Sequence, residues 1–194
     1  MITFKTPKHH WNYYLAIEQD LEKVSRYIEF AQPNLPVYSI ELAHILLSAS
    51  SEIDVLLKQV CTFVAPGQKV ENIDQYRNII VQALPNFSNE TIQISRYDLS
   101  YQPWDNWPKL QNPDWWRGYN RVKHERNNYY HEACLQHTIN AVGALLLTAI
   151  YYYNLAFSNE AKQAVSFKDT THQLQPSSAF ITIAADYYYE AIVG

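Results

Sequence analysis

Chemistry concentrates in one stretch of this sequence, PDWWRGYNRVKHERNNYYHE, which spans residues 113–132. Four of the chain's 15 Lys and Arg fall there within ten residues: Arg117, Arg121, Lys123 and Arg126. His124 sits among them and His131 follows. Arginine and lysine stay charged at neutral pH while histidine titrates near it, so the segment suits anion binding and proton transfer. On a continuous helix of about 100° per residue, Trp115, Tyr119, Val122, Arg126, Tyr129 and Ala133 share an aromatic face. Arg121, Glu125, Asn128 and Glu132 share a solvated face of mixed charge. Between them Arg117, Asn120, His124, Asn127 and His131 make a polar stripe without carboxylates, either an anion-binding groove or wet surface. Arg126 projects onto the aromatic face, and a buried guanidinium demands an anionic partner. Glu52 and Asp54 are the candidate carboxylates, with Lys58 at i,i+4 from Asp54; the other reading exposes Arg126 at a local bend.

The elements that position this stretch follow from the prolines. The nine lie at 7, 33, 36, 66, 85, 103, 108, 113 and 176, and proline breaks helix interiors, so long helices belong in the gaps 37–65 and 114–175. The first gap carries a wide helical stripe through Ile40, Leu42, Ile45, Leu46, Ile53, Leu56, Leu57 and Val60. The second opens on Pro113, a good first-turn residue, and predicts one bent helix or two from 114 to about 157. Shorter helices are expected over 11–30 and 71–84. The four prolines within 85–113 mark an irregular insert with a short strand at 91–96, paired with a second strand at 179–184. The expected fold class is all-α: an antiparallel helical bundle over 1–157, with a loop-rich insert at 85–113 and a small two-stranded β element. An appended segment, 158–194, would pack on the bundle or on a partner.

Composition narrows the function classes. The chain has 194 residues, 47% of them hydrophobic, which excludes wholesale disorder. Four glycines are too few for a doubly wound fold with Gly-rich phosphate loops. A net charge of −4 argues against a purely electrostatic DNA binder and leaves room for a local basic patch. Cys61 and Cys134 stand in apolar helical contexts and read as two buried thiols of a reducing cytosol rather than a disulfide. The apolar run 141–157 is interrupted by Gly143, Thr148 and Asn154 and reads as a buried core helix, not a membrane span. A cytoplasmic protein is expected, with no membrane partner. The seven histidines and two cysteines form no zinc pattern, so neither a metal nor another cofactor is expected.

Trp-Trp-x-x-Tyr-Asn-x-Val-Lys-His-x-Arg, from Trp115 to Arg126, followed by an Ala- and Leu-rich helix, resembles bacterial proteins of the HEPN-like group. The name stands for the higher eukaryotes and prokaryotes nucleotide-binding superfamily. Glu41-Leu42-Ala43 through Ser51-Glu52-Ile53-Asp54-Val55-Leu56-Leu57-Lys58 is similar to a partner helix in the same proteins. The resemblance covers roughly residues 38–157. It implies a compact helical bundle, commonly dimeric, and for many members a metal-independent ribonuclease. The superfamily signature is Arg, four to six residues, then His, often with a polar residue after the Arg. Arg126-Asn127-Asn128-Tyr129-Tyr130-His131 fits with Asn127 in the polar slot; Arg117 to His124 is a second fit, with Gly118 in that slot. Asp54-x-x-x-Lys58 meets the family's carboxylate-then-lysine element, with Gln59 where a basic residue is usual.

The implied reaction uses the RNA 2′-hydroxyl as nucleophile and releases a 5′-hydroxyl end. His131 would be general base or acid, Arg126 would stabilise charge on the phosphorane oxygens, and Asn127 would position the phosphate or the imidazole. Arg117, Asn120, Lys123 and His124 would contact substrate, while Tyr129, Tyr130 or Trp116 stack a base. On an ideal helix Arg126 and His131 point about 140° apart, so this reading requires a kink or a symmetric homodimer. The implied partners are RNA, a second copy, and an antitoxin or nucleotidyltransferase, in a toxin or phage-defence setting. The alternative is a non-catalytic helical binding or scaffold protein in which Arg126 and His124 stitch the bundle through Glu52 or Asp54.

Overall fold

The structure is a computed structural model that describes residues 4–183 and Tyr187. Seven α-helices and one small antiparallel sheet make up the described chain: α1 His9–Val24, α2 Ile40–Val64, α3 Ile73–Ala83, α4 Asp114–His124, α5 Arg126–Tyr129, α6 Leu135–Ala161 and α7 Phe167–Gln173, with β1 Ile92–Ile94 and β2 Leu99–Tyr101. The mostly helical class with a small β element is as the sequence predicts. Helix α1 ends at Val24, earlier than expected, and the chain turns through Ser25 to Ile28 on i→i+3 and i→i+4 bonds.

The long helices start where polar side chains take up orphan backbone donors. Ser39 accepts from the Leu42 amide at the start of α2, and Asn72 accepts from Gln75 at the start of α3. Helix α6 is apolar all round: residues 141–150 are buried without exception, so neighbours must cover every face. It is long and apolar enough to cross a membrane by composition, and its most apolar window is 78% buried inside the protein. Helix α2 makes the most extensive contact with it, and α1 and α4 add further walls.

Direction within the bundle follows from contacts. Thr138 near the start of α6 donates to the Leu42 carbonyl near the start of α2, and Phe63 meets Tyr152 near their far ends, so α2 and α6 run parallel. Tyr153 of α6 donates to Pro7 O and Phe4 stacks on Phe157, so α1 starts at the far end and runs antiparallel to both. The connection from 65 to 134, which holds α3, the insert and α4, is what returns the chain to the same end.

Strand β1 falls inside the predicted 91–96 segment but pairs chiefly with β2, Ile92 against Tyr101 and Ile94 against Leu99. The expected partner 179–184 contributes a single bridge, Gln93 with Thr182, and Ala184 lies outside the described residues. A β-hairpin is local and closes at Asp98 in the left-handed region (φ 51°), which is why it wins over the distant pairing.

The described part of the segment after Ser158 packs on the bundle, and one buried carboxylate fastens it. Glu18 of α1 is 4% exposed and accepts from Tyr14 Oη (3.0 Å), Ser178 Oγ (2.6 Å) and the amides of Phe180 (3.0 Å) and Ile181 (2.9 Å). Trp11 Nε1 donates to Pro176 O beside it. A buried carboxylate is tolerable only when donors saturate it, and here backbone and hydroxyl donors do so. Glu18→Ala strands those donors and should lower the unfolding free energy by about 3 kcal/mol. Hydrogen exchange should show the Phe180 and Ile181 amides losing protection before the helices; unchanged protection there would refute the fastening role.

Candidate functional site

The predicted cationic stretch is not one helix. Helix α4 ends at His124, where Glu125 (φ −135°, ψ 44°) leaves helical geometry. One turn follows as α5, then the 3-10 turn Tyr130–Glu132, and α6 starts after Cys134. Helix α4 buries Trp115, Tyr119 and Val122, as its aromatic stripe predicts, and buries Trp116 as well. Its last turn gathers Arg121, Lys123 and His124 at the negative end of the helix dipole, a stabilising arrangement in its own right.

The break corrects the expectation for Arg126. It does not continue the aromatic face into the core: the residue is exposed, and it forms no hydrogen bond or ion pair among the described residues. Asn127 and His131 are exposed on the same connection, and the His131 ring lies 6.4 Å from that of Tyr129. The bend reading of Arg126 is the one the structure supports, and no carboxylate seals it.

The carboxylates named for Arg126 have other partners. Glu52 binds His10 Nδ1 at 2.5 Å, tying α2 to α1 under the Tyr152 ring. Asp54 pairs with Lys58 at 2.6 Å and accepts from Tyr76 Oη at 3.1 Å, tying α2 to α3. Glu52, Asp54 and Lys58 therefore brace the bundle, and neither Arg126 nor His124 stitches to them.

Several of the proposed substrate-binding groups are engaged within the protein. Arg117 is paired with Asp114, and Asn120 Nδ2 donates to the Trp116 carbonyl of its own helix at 2.9 Å. Lys123 Nζ lies 3.2 Å from Tyr119 Oη and over that ring. Arg121 donates to Glu132 Oε1 at 2.7 Å, with its guanidinium over the Tyr129 ring at 5.1 Å. His124 is exposed. Trp116, named as a stacking platform, is 7% exposed and part of the core; the exposed ring on this side is Tyr38, which packs edge-on against Tyr130 at 5.6 Å.

A second cluster lies at the start of α6, and sequence reading passed over it. Cys134 is the residue before the helix and His137 stands one turn in, close enough to act on its thiol. His137 Nδ1 donates to the Glu132 carbonyl at 2.8 Å and lies 3.5 Å from Glu132 Oε2, whose other oxygen holds Arg121. Gly118 makes room for the ring: a Cβ there would stand 2.6 Å from His137 Nδ1 and 3.3 Å from Glu132 Oε2. Burial works to raise the Cys134 thiol, but the His137 side chain and the amides of His137 and Gln136 outweigh it and hold the thiol below its ordinary value. Burial works against the His137 cation as well, and the bonds to Cys134 and Glu132 outweigh it and raise its pKa. Cys61, in contrast, is pushed up to about 11 by burial alone. The signal in the sequence is Glu132-x-Cys134-x-x-His137, an acid, a thiol and an imidazole at turn spacing.

No family model matches this chain, and neither a curated protein nor a solved structure matches it.

At neutral pH, iodoacetamide should label Cys134 of the native protein ahead of Cys61, as read by peptide mapping. His137→Ala should move the midpoint of the Cys134 pH–rate profile upward, because the groups that hold the thiolate are gone. First labelling at Cys61 would contradict the assignment. Gly118→Ala, ordinarily a gain of about 1 kcal/mol within a helix, should instead lower the melting temperature by displacing the His137 ring.

Proposed function

We propose that this protein acts on RNA as a metal-independent endoribonuclease of the HEPN type, with Arg126, Asn127 and His131 as its reactive set. The observation that carries the reading is that all three side chains are exposed together on the α4–α6 connection, where no anion among the described residues neutralises Arg126. An unneutralised guanidinium on the same connection as an exposed imidazole supplies the two groups that a phosphorane on the way to P–O5′ cleavage requires. The break at Glu125 also removes the continuous helix on which Arg126 and His131 diverge.

In the reaction, His131 takes the proton of a 2′-hydroxyl as its oxygen bonds to phosphorus. Arg126 balances charge on the non-bridging oxygens. The P–O5′ bond breaks, the 5′-oxygen leaves with a proton, and a 2′,3′-cyclic phosphate remains. In a homodimer, the proton for the 5′-oxygen comes from His131 of the second copy. The Tyr38 ring, 50% exposed and packed on Tyr130, offers a stacking surface for a base next to this set. Toxin or phage-defence action, with an antitoxin or nucleotidyltransferase partner, is the setting that the family resemblance suggests.

A second reading is a non-catalytic binding protein. It is favoured by one observation: among the described residues no carboxylate or carbonyl fixes the His131 ring, so its tautomer is unassigned by the protein.

Cleavage of a mixed RNA pool in the presence of chelator, with end-group analysis, tests the proposal. Wild type should give 5′-hydroxyl and cyclic phosphate ends, with His131→Ala slower by about 10²–10⁴-fold. Arg126→Ala should be slower by about 10²–10³-fold. Equal activity in wild type and His131→Ala would overturn it, and RNA binding without cleavage in wild type would leave the second reading. Sedimentation should find a dimer at assay concentration; a strict monomer removes the shared site.

A further inference from the structure

The connection between α4 and α6 has little structure of its own. One turn of helix and one 3-10 turn make up residues 126–132, with Tyr129 N donating to Glu125 O at 3.1 Å and Ala133 N to Tyr130 O at 3.0 Å. Turns this short do not persist without side chains from outside them. Arg126, Asn127, Asn128 and His131 are exposed, and none of them makes a side-chain hydrogen bond or ion pair among the described residues. We propose that Arg121 and Glu132 are positioning residues for His131. They form a clasp between α4 and the turn 129–132 that holds the His131 backbone in place for the reaction, an inference that rests on the RNA reading above.

Arg121 grips the turn on both sides of His131. Its Nη1 donates to Glu132 Oε1 at 2.7 Å, one residue after the histidine. Its guanidinium lies over the Tyr129 ring at 5.1 Å, two residues before it. A planar guanidinium makes both contacts at once, donating along its edge while a ring covers its face. Glu132 is held from the other side as well. Its carbonyl accepts from His137 Nδ1 at 2.8 Å and its Oε2 lies 3.5 Å from the same nitrogen, so α6 holds the residue that α4 holds. The carboxylate also has a seat on α4, because a Cβ at Gly118 would stand 3.3 Å from Oε2. The Glu132 side chain is 16% exposed, so the pair is screened less than an open surface bridge.

The clasp fixes the backbone of His131 and leaves its ring free to turn. The place of its Cα therefore decides where the imidazole can reach, and an offset of about 1 Å at a reacting group costs on the order of 10²-fold in rate. Arg121 differs in this from its cationic neighbours. Arg117 is bound to Asp114 and Lys123 to Tyr119, each within α4, whereas Arg121 reaches 11 residues along the chain. Its charge is matched by Glu132 rather than left for a phosphate, so its removal should act on turnover and not on RNA affinity.

Arg121→Ala and Glu132→Ala, alone and together, test the proposal, with thermal melting as the check on folding. Amide exchange needs no RNA. Either variant should speed exchange at Tyr129 and Ala133 by about tenfold, while amides in the middle of α4 and α6 keep their rates. In RNA cleavage, kcat should fall by about 10- to 100-fold with KM within about twofold. The double variant should be no slower than the slower single one, because each removes the same clasp. A raised KM with kcat unchanged would make Arg121 a phosphate contact and overturn the proposal. Unchanged exchange, or two effects that multiply, would overturn it equally. The two readings fail separately. Faster exchange in a protein that cleaves no RNA keeps the clasp and removes the nuclease; cleavage whose kcat ignores Arg121 and Glu132 keeps the nuclease and removes the positioning role.

Discussion

The position of α6 is set by the strand-like residues just before α2. The amides of Leu135 and Gln136, orphaned at the start of α6, donate to Val37 O at 2.8 Å and Leu35 O at 3.1 Å. Tyr38 and Cys134 form the isolated bridge between the two segments. A helix buried on every face has no polar side to orient it, so a backbone lock at one end must fix its register. With that lock in place, α2 and α6 leave the same point in parallel, and Thr138 donates to Leu42 O as they do. The lock also fixes where the chain coming from α4 must arrive. The exposed connection that carries Arg126, Asn127 and His131 is the span between the end of α4 and that fixed point.

Much of this was legible because proline and apolar spacing act locally. The gaps between prolines held α2 and α6, and the stripe Trp115, Tyr119, Val122 turned out to be the buried side of α4. The break at Glu125 was not legible, since no proline or glycine marks it. Its cause is tertiary: a helix continuing from His124 could not bring Leu135 back to Val37 and Leu35. Every prediction that ran through the break inherited the error, above all the burial of Arg126 and its pairing with Glu52 or Asp54. Before the break, Trp115, Tyr119 and Val122 were placed correctly by the same arithmetic, while Trp116, expected to stack a base, is buried.

The thiol and imidazole at the start of α6 were missed for a different reason. Cysteine is not among the residues that favour the position before a helix, so Cys134 was read by its apolar neighbours rather than by its place. Gly118 was read as a blank in a motif, whereas its missing side chain is what admits the His137 ring. The many tyrosines show the opposite case. A tyrosine ring carries a polar tip, and several buried ones keep it bonded, Tyr153 to Pro7 O, Tyr14 to Glu18 and Tyr151 to Glu90, while the Tyr101 hydroxyl is buried without a partner among the described residues.

The cationic stretch divides once its partners are assigned. Arg117, Arg121 and Lys123 each have a carboxylate or tyrosine in reach, and the last turn of α4 gains from Arg121 and Lys123 regardless of any ligand. A polar stripe that pays for itself in this way says little about substrate. Arg126, His124 and His131 are different, because the fold exposes them without a hydrogen bond or ion pair to another described residue. An exposed guanidinium such as that of Arg126 costs the protein little and stabilises it little. The proposed chemistry at the α4–α6 connection therefore rests on those side chains, while their better-paired neighbours hold the helix that brings them to it.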